Sequence, residues 1–234
     1  MNAIFGLLIS ISVLALPVQA DNLARATAAL PELASPPQGE AQWIARSMRM
    51  NGLPMTLKAF ESRLTPGAVL SHYESLLKST SAHEARRLVN PPWQVLMLRS
   101  RKHFITVHAR AVRDGSEGTI LVSPALEPAT LHMQTNFPRP PTAHISNLQQ
   151  YDDAGMESEH ISLSSPRAPF TELQAFSQLL IRDGWAVIDT RPAHEAARAY
   201  VMEAQRQAEH ALLVIGPDAS QPSTTAIVVA WKKQ

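Results

Sequence analysis

The sequence predicts an α+β protein built from two modules, each an antiparallel sheet with one helix packed on one face. Three observations lead to this prediction: two glycine-containing turns that lie 103 residues apart, two amphipathic helices at the same spacing, and alternating strand patterns after each helix. Because these elements recur in the same order, we expect an internal duplication of a hairpin–helix–three-strand (ββαβββ) unit. Whether the two modules share one sheet stays open at this stage.

The first module is expected over residues 43–124. Asn51-Gly52 separates two extended runs, and this dipeptide is the strongest short-range indication of a hairpin. Thr65 and Pro66 then open a helix, since Thr caps helices well and Pro is favoured in the first turn. The strands of this module are expected over residues 43–50, 53–62, 93–100, 104–112 and 119–124.

The second module is expected over residues 145–234, where Gly155 lies 103 residues after Gly52. The helix of each module carries an apolar stripe at helical spacing: Val69, Leu70, Tyr73, Leu76 and Leu77 in the first, and Leu173, Phe176, Leu179 and Leu180 in the second. Residues 194–210 have helical propensity, but the repeat favours a strand over residues 200–207. The strands are expected over residues 145–153, 156–165, 185–190, 200–207, 211–217 and 225–232.

The repeat also suggests a direct overlay of the later strands. Residues 93–124 can be placed on residues 200–231, an offset of 107, without a gap. Identical pairs in the overlay include Arg99 with Arg206, His103 with His210, Val107 with Val214, Ile120 with Ile227, and Val122 with Val229. Such identities are few, so the prediction depends mainly on the recurring order of turn, helix stripe and strands.

The N-terminal residues 1–20 are predicted to be a cleaved signal peptide. Residues 4–16 are all apolar or small, and Val18 and Ala20 are small residues at the positions that a signal peptidase reads. The run is too short to cross a bilayer, and no cysteine is available for a lipid anchor. We therefore expect a periplasmic or secreted protein without a transmembrane anchor or disulfides.

Two proline-containing segments are expected to connect these parts. Residues 21–42 are predicted to be an N-terminal spacer with a short helix over residues 24–33, and residues 125–144 a linker between the modules.

Charge is divided unequally between the modules. Residues 40–124 hold 12 Lys and Arg against 6 Asp and Glu, whereas residues 125–234 hold 8 against 12. The basic cluster of the first module is the candidate partner-binding site, for a protein with an acidic surface: Arg86, Arg87, Arg99, Arg101 and Lys102. A solvated loop is the alternative for these residues. Nucleic acid is not an expected partner, because aromatic residues are few and the overall charge is balanced.

No catalytic, metal or cofactor site is predicted. The sequence lacks the H-E-x-x-H, G-x-S-x-G and glycine-rich phosphate motifs, and it has no cysteine. Ser75 and Lys78 match S-x-x-K, but the serine lies near a helix end rather than at its start. Glu157 and Glu159 are expected on one face of a solvated acidic hairpin, a better interpretation than a weak Ca²⁺ site.

These observations favour an exported, non-catalytic binding or scaffolding protein, an accessory of a cell-envelope assembly such as a pilus or secretion apparatus. Two alternatives stay open: a periplasmic hydrolase with a site at the interface of the modules, and a carrier of a small apolar ligand held between helix and sheet.

Overall fold

The computed structural model describes residues 20–78, 84–125, 132–153, 156–194 and 198–233. The helices in these ranges are α1 (Ala20–Ala28), α2 (Pro66–Lys78) and α3 (Pro169–Arg182). The strands are β1 (Gly39–Met50), β2 (Leu53–Ser62), β3 (Glu84–Asn90), β4 (Trp93–Arg99), β5 (His103–Val112), β6 (Gly115–Pro124), β7 (His144–Asp153), β8 (Met156–Ser165), β9 (Ala186–His194), β10 (Ala199–Arg206), β11 (Glu209–Pro217) and β12 (Thr225–Lys233).

The twelve described strands form one antiparallel sheet in the order β3-β4-β5-β6-β2-β1-β7-β8-β12-β11-β10-β9. Strands account for 57% of the structure and helices for 16%. The predicted fold class, two α+β modules whose antiparallel sheets are each covered by one helix, is therefore wrong. The physical reason is that β1 and β7 pair with each other, which removes two free sheet edges that separate modules would have exposed.

The two halves of the sheet meet at a short junction between β1 and β7. Its cross-strand pairs are Met48 with Tyr151, Arg49 with Gln150, and Met50 with Gln149. Asn51 extends the junction: its backbone N–H donates to the carbonyl of Leu148, and its Oδ1 accepts from the Leu148 N–H, both at 2.8 Å. The hairpin turn is the expected one, because Asn51 and Gly52 both have positive φ, 50° and 87°.

In each half, two strands and a helix are followed by four strands, as the sequence predicted for the second half but not for the first, where it predicted three. The additional strand of the first half is β3, whose seven residues are all exposed and show no apolar alternation. Residues 200–207 were expected to form a strand despite their helical propensity, and β10 confirms this. The expected turn at residues 154–155 lies outside the described residues.

The sheet register shows which positions of the two halves are equivalent. Two matching rows of cross-strand neighbours are Lys58–Ile120–Val107 in the first half and Ile161–Val229–Leu213 in the second. Lys58 and Ile161 lie 103 residues apart, as do the starts of α2 and α3, so we take these two positions as equivalent. Ile120 then corresponds to Val229, which gives an offset of 109 between β6 and β12. Val107 corresponds to Leu213, which gives an offset of 106 between β5 and β11. The second half therefore carries three additional residues before β10 and three more before β12.

The ungapped overlay at offset 107 is consequently wrong. It matches Val107 with Val214, but Val107 is fully buried whereas Val214 is 40% exposed. A slip of one residue moves every side chain of a strand to the other face of the sheet, so the identities found in β5 and β11 do not mark equivalent positions.

The three described helices lie on one side of the sheet, which we call the helix face. α2 contacts β4, β5 and β6, α3 contacts β9 to β12, and α1 contacts β1, β2 and β7. The core of the first half joins Val69, Leu70 and Tyr73 of α2 to strand residues such as Leu96, Val107 and Ile120. The core of the second half joins Leu173, Phe176 and Leu180 of α3 to residues such as Met202, Leu213 and Val229. We call the opposite side of the sheet the open face.

The N-terminal part differs from the expected spacer. α1 ends at Ala28, so the expected helix over residues 24–33 is displaced toward the N-terminus, and β1 begins at Gly39 within the predicted spacer. The segment between α1 and β1 packs on the sheet, because Leu33 is buried in the first core and the carbonyl of Ala34 accepts a hydrogen bond from Tyr73. The predicted signal peptide, except Ala20, lies outside the described residues.

Glu159 corrects the expectation of a fully solvated acidic hairpin. This half-buried side chain accepts hydrogen bonds from the Thr135 hydroxyl and from Nε2 of Gln150, the latter at 2.8 Å. Gln150 also donates to the carbonyl of Gln134, so the segment before β7 is held against the helix face of β7 and β8. Burial raises the pKa of Glu159, and its two hydrogen bonds oppose that shift.

We expect Glu159→Gln to raise the melting temperature at pH 7. A raised pKa in the folded state means that the folded protein binds the proton more tightly than the unfolded chain, so stability is lost as pH rises through the folded pKa. Glutamine carries no charge and can still accept from Thr135. The gain should vanish at the acid end of the range, where the wild-type carboxyl is protonated in both the folded and the unfolded state. Calorimetry of both proteins from pH 3 to 8 measures this, and an equal gain at every pH would contradict it.

Candidate partner-binding edge

The structure places the five basic residues of the predicted partner-binding site at one corner of the sheet. Arg86 and Arg87 lie in β3, Arg99 ends β4, and Arg101 and Lys102 lie in the turn between β4 and β5. Arg99 pairs across the strands with Glu84, the first residue of β3. The cluster therefore surrounds one end of the β3–β4 pair.

Arg87 does not share the exposed role expected for the cluster. Its guanidinium donates to Oε2 of Glu74 at 2.6 and 2.9 Å and to the hydroxyl of Ser71 at 3.0 Å, which ties β3 to α2. The side chains of its two neighbours in β3, Arg86 and Leu88, point to the other face of the sheet. Arg87 is thus a structural link between edge strand and helix.

The other four basic side chains stay available to a partner. Arg99 lies over the ring of Phe104, 5.3 Å from its centroid, and is otherwise exposed. Within the described ranges, Arg86, Arg101 and Lys102 form no ion pair. The nearby His103 adds no charge at neutral pH, because partial burial and then Lys102 lower its pKa.

β3 is one of the two edge strands of the sheet, and it is a regular one. Its seven residues pair with β4 without a register shift, and Leu88 and Val89 are exposed, Val89 to 74%. β9, at the other edge, contains Pro192 and shows two register shifts against β10. Proline and bulges are devices that prevent edge pairing, so β9 is protected and β3 is open to another strand.

The open face of the first half carries a row of charged and aromatic residues near the place where β1 begins and β2 ends. Adjacent strands place Glu40, Glu61, Glu117, Arg110 and Trp93 side by side. Arg110 pairs with Glu117, with Nε to Oε1 at 2.6 Å, and lies over the Trp93 ring at 5.0 Å. Glu40, Glu61, Glu117 and Trp93 line a shallow cavity of about 370 Å³. The one cation of the row, Arg110, already has both an acidic and an aromatic partner within the chain.

A second cavity, of about 430 Å³, lies on the open face of the second half. Its lining includes Ser158, His160, Glu203, His210, Leu212, Ala230 and Lys232. Apart from His210 in the overlay, none of these residues was singled out by the sequence patterns. The four strands that carry them, β8, β12, β11 and β10, are adjacent in the sheet, but β8 is separated from the other three along the chain.

Within the part of the chain that the structure describes, no three His, Asp or Glu side chains are grouped as metal ligands. None of the helices in the described ranges combines the length and apolar character needed to span a membrane. No family model, no curated protein and no solved structure matches the chain.

β3 was missed by sequence reasoning, although it is central to this site. The residues Glu84–Asn90 carry no apolar alternation, since neither face of an edge strand at this position is covered. The one available indication was the pair Pro91-Pro92, because a proline pair after a short run is typical of a turn between strands.

Proposed function

We propose that the protein is an exported, non-catalytic binding or scaffolding protein that holds an extended acidic segment of a cell-envelope partner along β3. The observation that carries the proposal is the contrast between the two sheet edges. β3 is exposed and regular beside four available basic side chains, whereas β9 is bulged and contains Pro192.

Strand addition suits such an edge. An extended segment that pairs with β3 would satisfy the unpaired backbone groups of the strand and would cover Val89 and Leu88. The backbone hydrogen bonds would supply affinity that does not depend on sequence, and the side chains on either side would supply the selection.

The basic cluster beside β3 indicates that the bound segment of the partner is acidic. Arg86, Arg99, Arg101 and Lys102 surround the β4–β5 end of β3 without ion-pair partners among the described residues. Such a surface attracts acidic segments over about 8–10 Å at physiological salt and increases their rate of association. The partner is therefore expected to carry Asp or Glu beside the paired strand. Export and placement in an envelope assembly rest on the predicted signal peptide.

We expect the fourfold variant Arg86→Gln, Arg99→Gln, Arg101→Gln and Lys102→Gln to lose capture of the partner in crosslinking from intact envelopes, with a nearly unchanged melting temperature. Exposed charges contribute at most about 1 kcal/mol each to stability, so the fold should tolerate the change. Arg87→Gln is the control: it should lower the melting temperature through loss of the Glu74 pair and leave capture in place.

A pair of variants at Val89 tests the edge itself. Val89→Glu and Val89→Lys place side chains of similar size but opposite charge at the same exposed position. Val89→Glu should weaken binding of an acidic extended peptide in fluorescence anisotropy, whereas Val89→Lys should preserve or increase it. Equal binding by both variants would place the partner elsewhere, and an unchanged fourfold variant would show that the cluster is a solvated loop.

A further inference from the structure

The cavity on the open face of the second half is a depression in the sheet surface with a defined floor. One row of cross-strand neighbours runs His160–Ala230–Leu212–Glu203, and the next row runs Ser158–Lys232–His210. The depression arises because Ala230 and Ser158 are small and lie among larger side chains. Its volume of about 430 Å³ is in the range of small-molecule sites.

The first half provides an internal comparison, because the register identifies the equivalent positions. The row that corresponds to His160–Ala230–Leu212 is Leu57–Leu121–Thr106, and the residues that correspond to Ser158 and His210 are Met55 and Phe104. In the first half all of these positions except Thr106 hold large apolar side chains, and Met55 is only 3% exposed. The same place in the sheet is therefore closed in one half and open and polar in the other.

The polar groups of the cavity converge on one side. Ser158 lies directly opposite Lys232, which lies directly opposite His210, and His160 is a diagonal neighbour of Lys232. These four side chains can all donate hydrogen bonds. No carboxylate of the described residues forms an ion pair with Lys232. The His160 ring packs against Tyr151, with centroids 5.8 Å apart, which restrains its orientation.

The other side of the cavity is apolar and ends at a carboxylate. Leu212 and Ala230 form the floor, and Ile188 of β9, 58% exposed, lines the far wall. Glu203 lies beyond Leu212, two strands away from the strand that carries Lys232. An anionic group is attracted at the Lys232 side and repelled at the Glu203 side, so the cavity defines one orientation for an anion with an apolar body.

We propose that this cavity binds a small organic anion with a short alkyl chain, with its carboxylate at Lys232, His210 and Ser158 and its chain over Ala230 and Leu212. The charged head receives charge-assisted hydrogen bonds, and the chain covers apolar surface that is exposed in the free protein. Affinity should rise about fourfold for each methylene added until the floor is covered. This site is independent of the β3 edge.

Isothermal titration of the mature protein with octanoate, acetate and octylammonium tests the proposal. Octanoate should bind at least tenfold more tightly than either of the others, because acetate lacks the chain and octylammonium carries the wrong charge. Equal binding of octanoate and octylammonium, or no octanoate binding at millimolar concentration, would overturn the proposal.

Two variants locate the site, and a third serves as control. Ala230→Leu fills the cavity with the side chain that Leu121 already places at the equivalent position of the first half, so the sheet should accommodate it. Lys232→Gln removes the charge. Each should weaken octanoate binding tenfold or more. Lys233→Gln changes the next residue, which points to the helix face and pairs with Glu157, and should leave binding unchanged.

Undiminished binding by both Ala230→Leu and Lys232→Gln would place octanoate elsewhere and overturn the assignment. If Ala230→Leu fails to fold, as judged by circular dichroism, then Lys232→Gln against Lys233→Gln decides the question. The four basic-cluster substitutions at the β3 edge should have no effect on octanoate, so failure of this site and failure of the proposed function are distinguishable.

Discussion

Phe176→Ala is expected to lower the free energy of unfolding by about 3–5 kcal/mol. Phe176 is fully buried at the centre of α3, where its ring belongs to the core that includes Leu213 and Val229. Removing the ring loses its transfer free energy and leaves a cavity that packed β-strands cannot close completely. Urea unfolding followed by circular dichroism measures the change. Phe170→Ala is the matched control, since Phe170 lies in the same helix but is 54% exposed.

Tyr73→Ala should have an effect of similar size, because Tyr73 occupies the equivalent position of α2 and is also fully buried. Its hydroxyl donates to the carbonyl of Ala34 at 2.8 Å, and burial raises the pKa of the phenol, so the group remains a donor. Tyr73→Phe isolates that hydrogen bond and should cost about 1 kcal/mol. If Phe176→Ala costs no more than Phe170→Ala, the helix does not provide the core as described.

Gly118→Ala is expected to destabilise the protein by about 3 kcal/mol, the upper end of the usual range for overpacking. Gly118 lies in β6 between β5 and β2, opposite Phe60 and Ala109. A Cβ atom there would collide with the backbone carbonyl of His108 and would lie 2.8 Å from the Phe60 ring. Because His108 is in a paired strand, the obstacle is backbone and cannot rotate away.

Gly67→Ala is the control in the same half. Gly67 lies in the first turn of α2, and among the described residues a new Cβ would meet just the side-chain oxygen of Gln94 within 4 Å, at 3.9 Å. Alanine favours helix more than glycine does, so this variant should stabilise by up to about 1 kcal/mol. Thermal unfolding of both variants measures the contrast. A melting temperature of Gly118→Ala at or above the wild-type value would show that β5 and β6 are not paired in this register.

Local patterns predicted the elements that carry their own chemistry. Asn51-Gly52 identified the first hairpin because both residues adopt positive φ in the turn. The stripes of α2 and α3 identified the helices because each packs one face on the sheet. The apolar stripe predicted for α2 was nevertheless too long, because Leu76 near its end is 39% exposed. Such features depend on neighbours a few residues away.

The pairing of strands could not be predicted, because it depends on distant residues. Nothing in the sequence near Met48 indicates that it lies opposite Tyr151, yet that pair joins the strands of the two halves into one sheet, a question that the sequence left open. The overlay of Val107 on Val214 failed because the second half carries insertions in its loops, and identity of residue type cannot reveal which face a side chain takes. Register is a property of the assembled sheet.

The candidate sites also divide into features that are local in the sequence and features that depend on the fold. Basic residues clustered in the sequence, such as Arg99, Arg101 and Lys102, were visible as a group because they are close along the chain. The link between Arg87 and Glu74 was not, since 13 residues and a change of element separate them. The cavity around Ala230 needs β8, β12, β11 and β10 side by side, an arrangement that only the fold provides.

The β1–β7 junction also has a mechanical consequence. Most adjacent strands of the sheet are joined by seven or more cross-strand residue pairs, but β1 and β7 are joined by only three. The hydrogen bonds of Asn51 to Leu148 add to this junction. A pull applied at β3 and resisted at the opposite edge would act across the strands, so hydrogen bonds would open one after another rather than together. Once α1, which contacts both β1 and β7, is released, this junction would part before the other strand pairs, and α2 and α3 would each stay on the core of their own half. A protein anchored at one edge and loaded at the other would thus lengthen by separating at its middle.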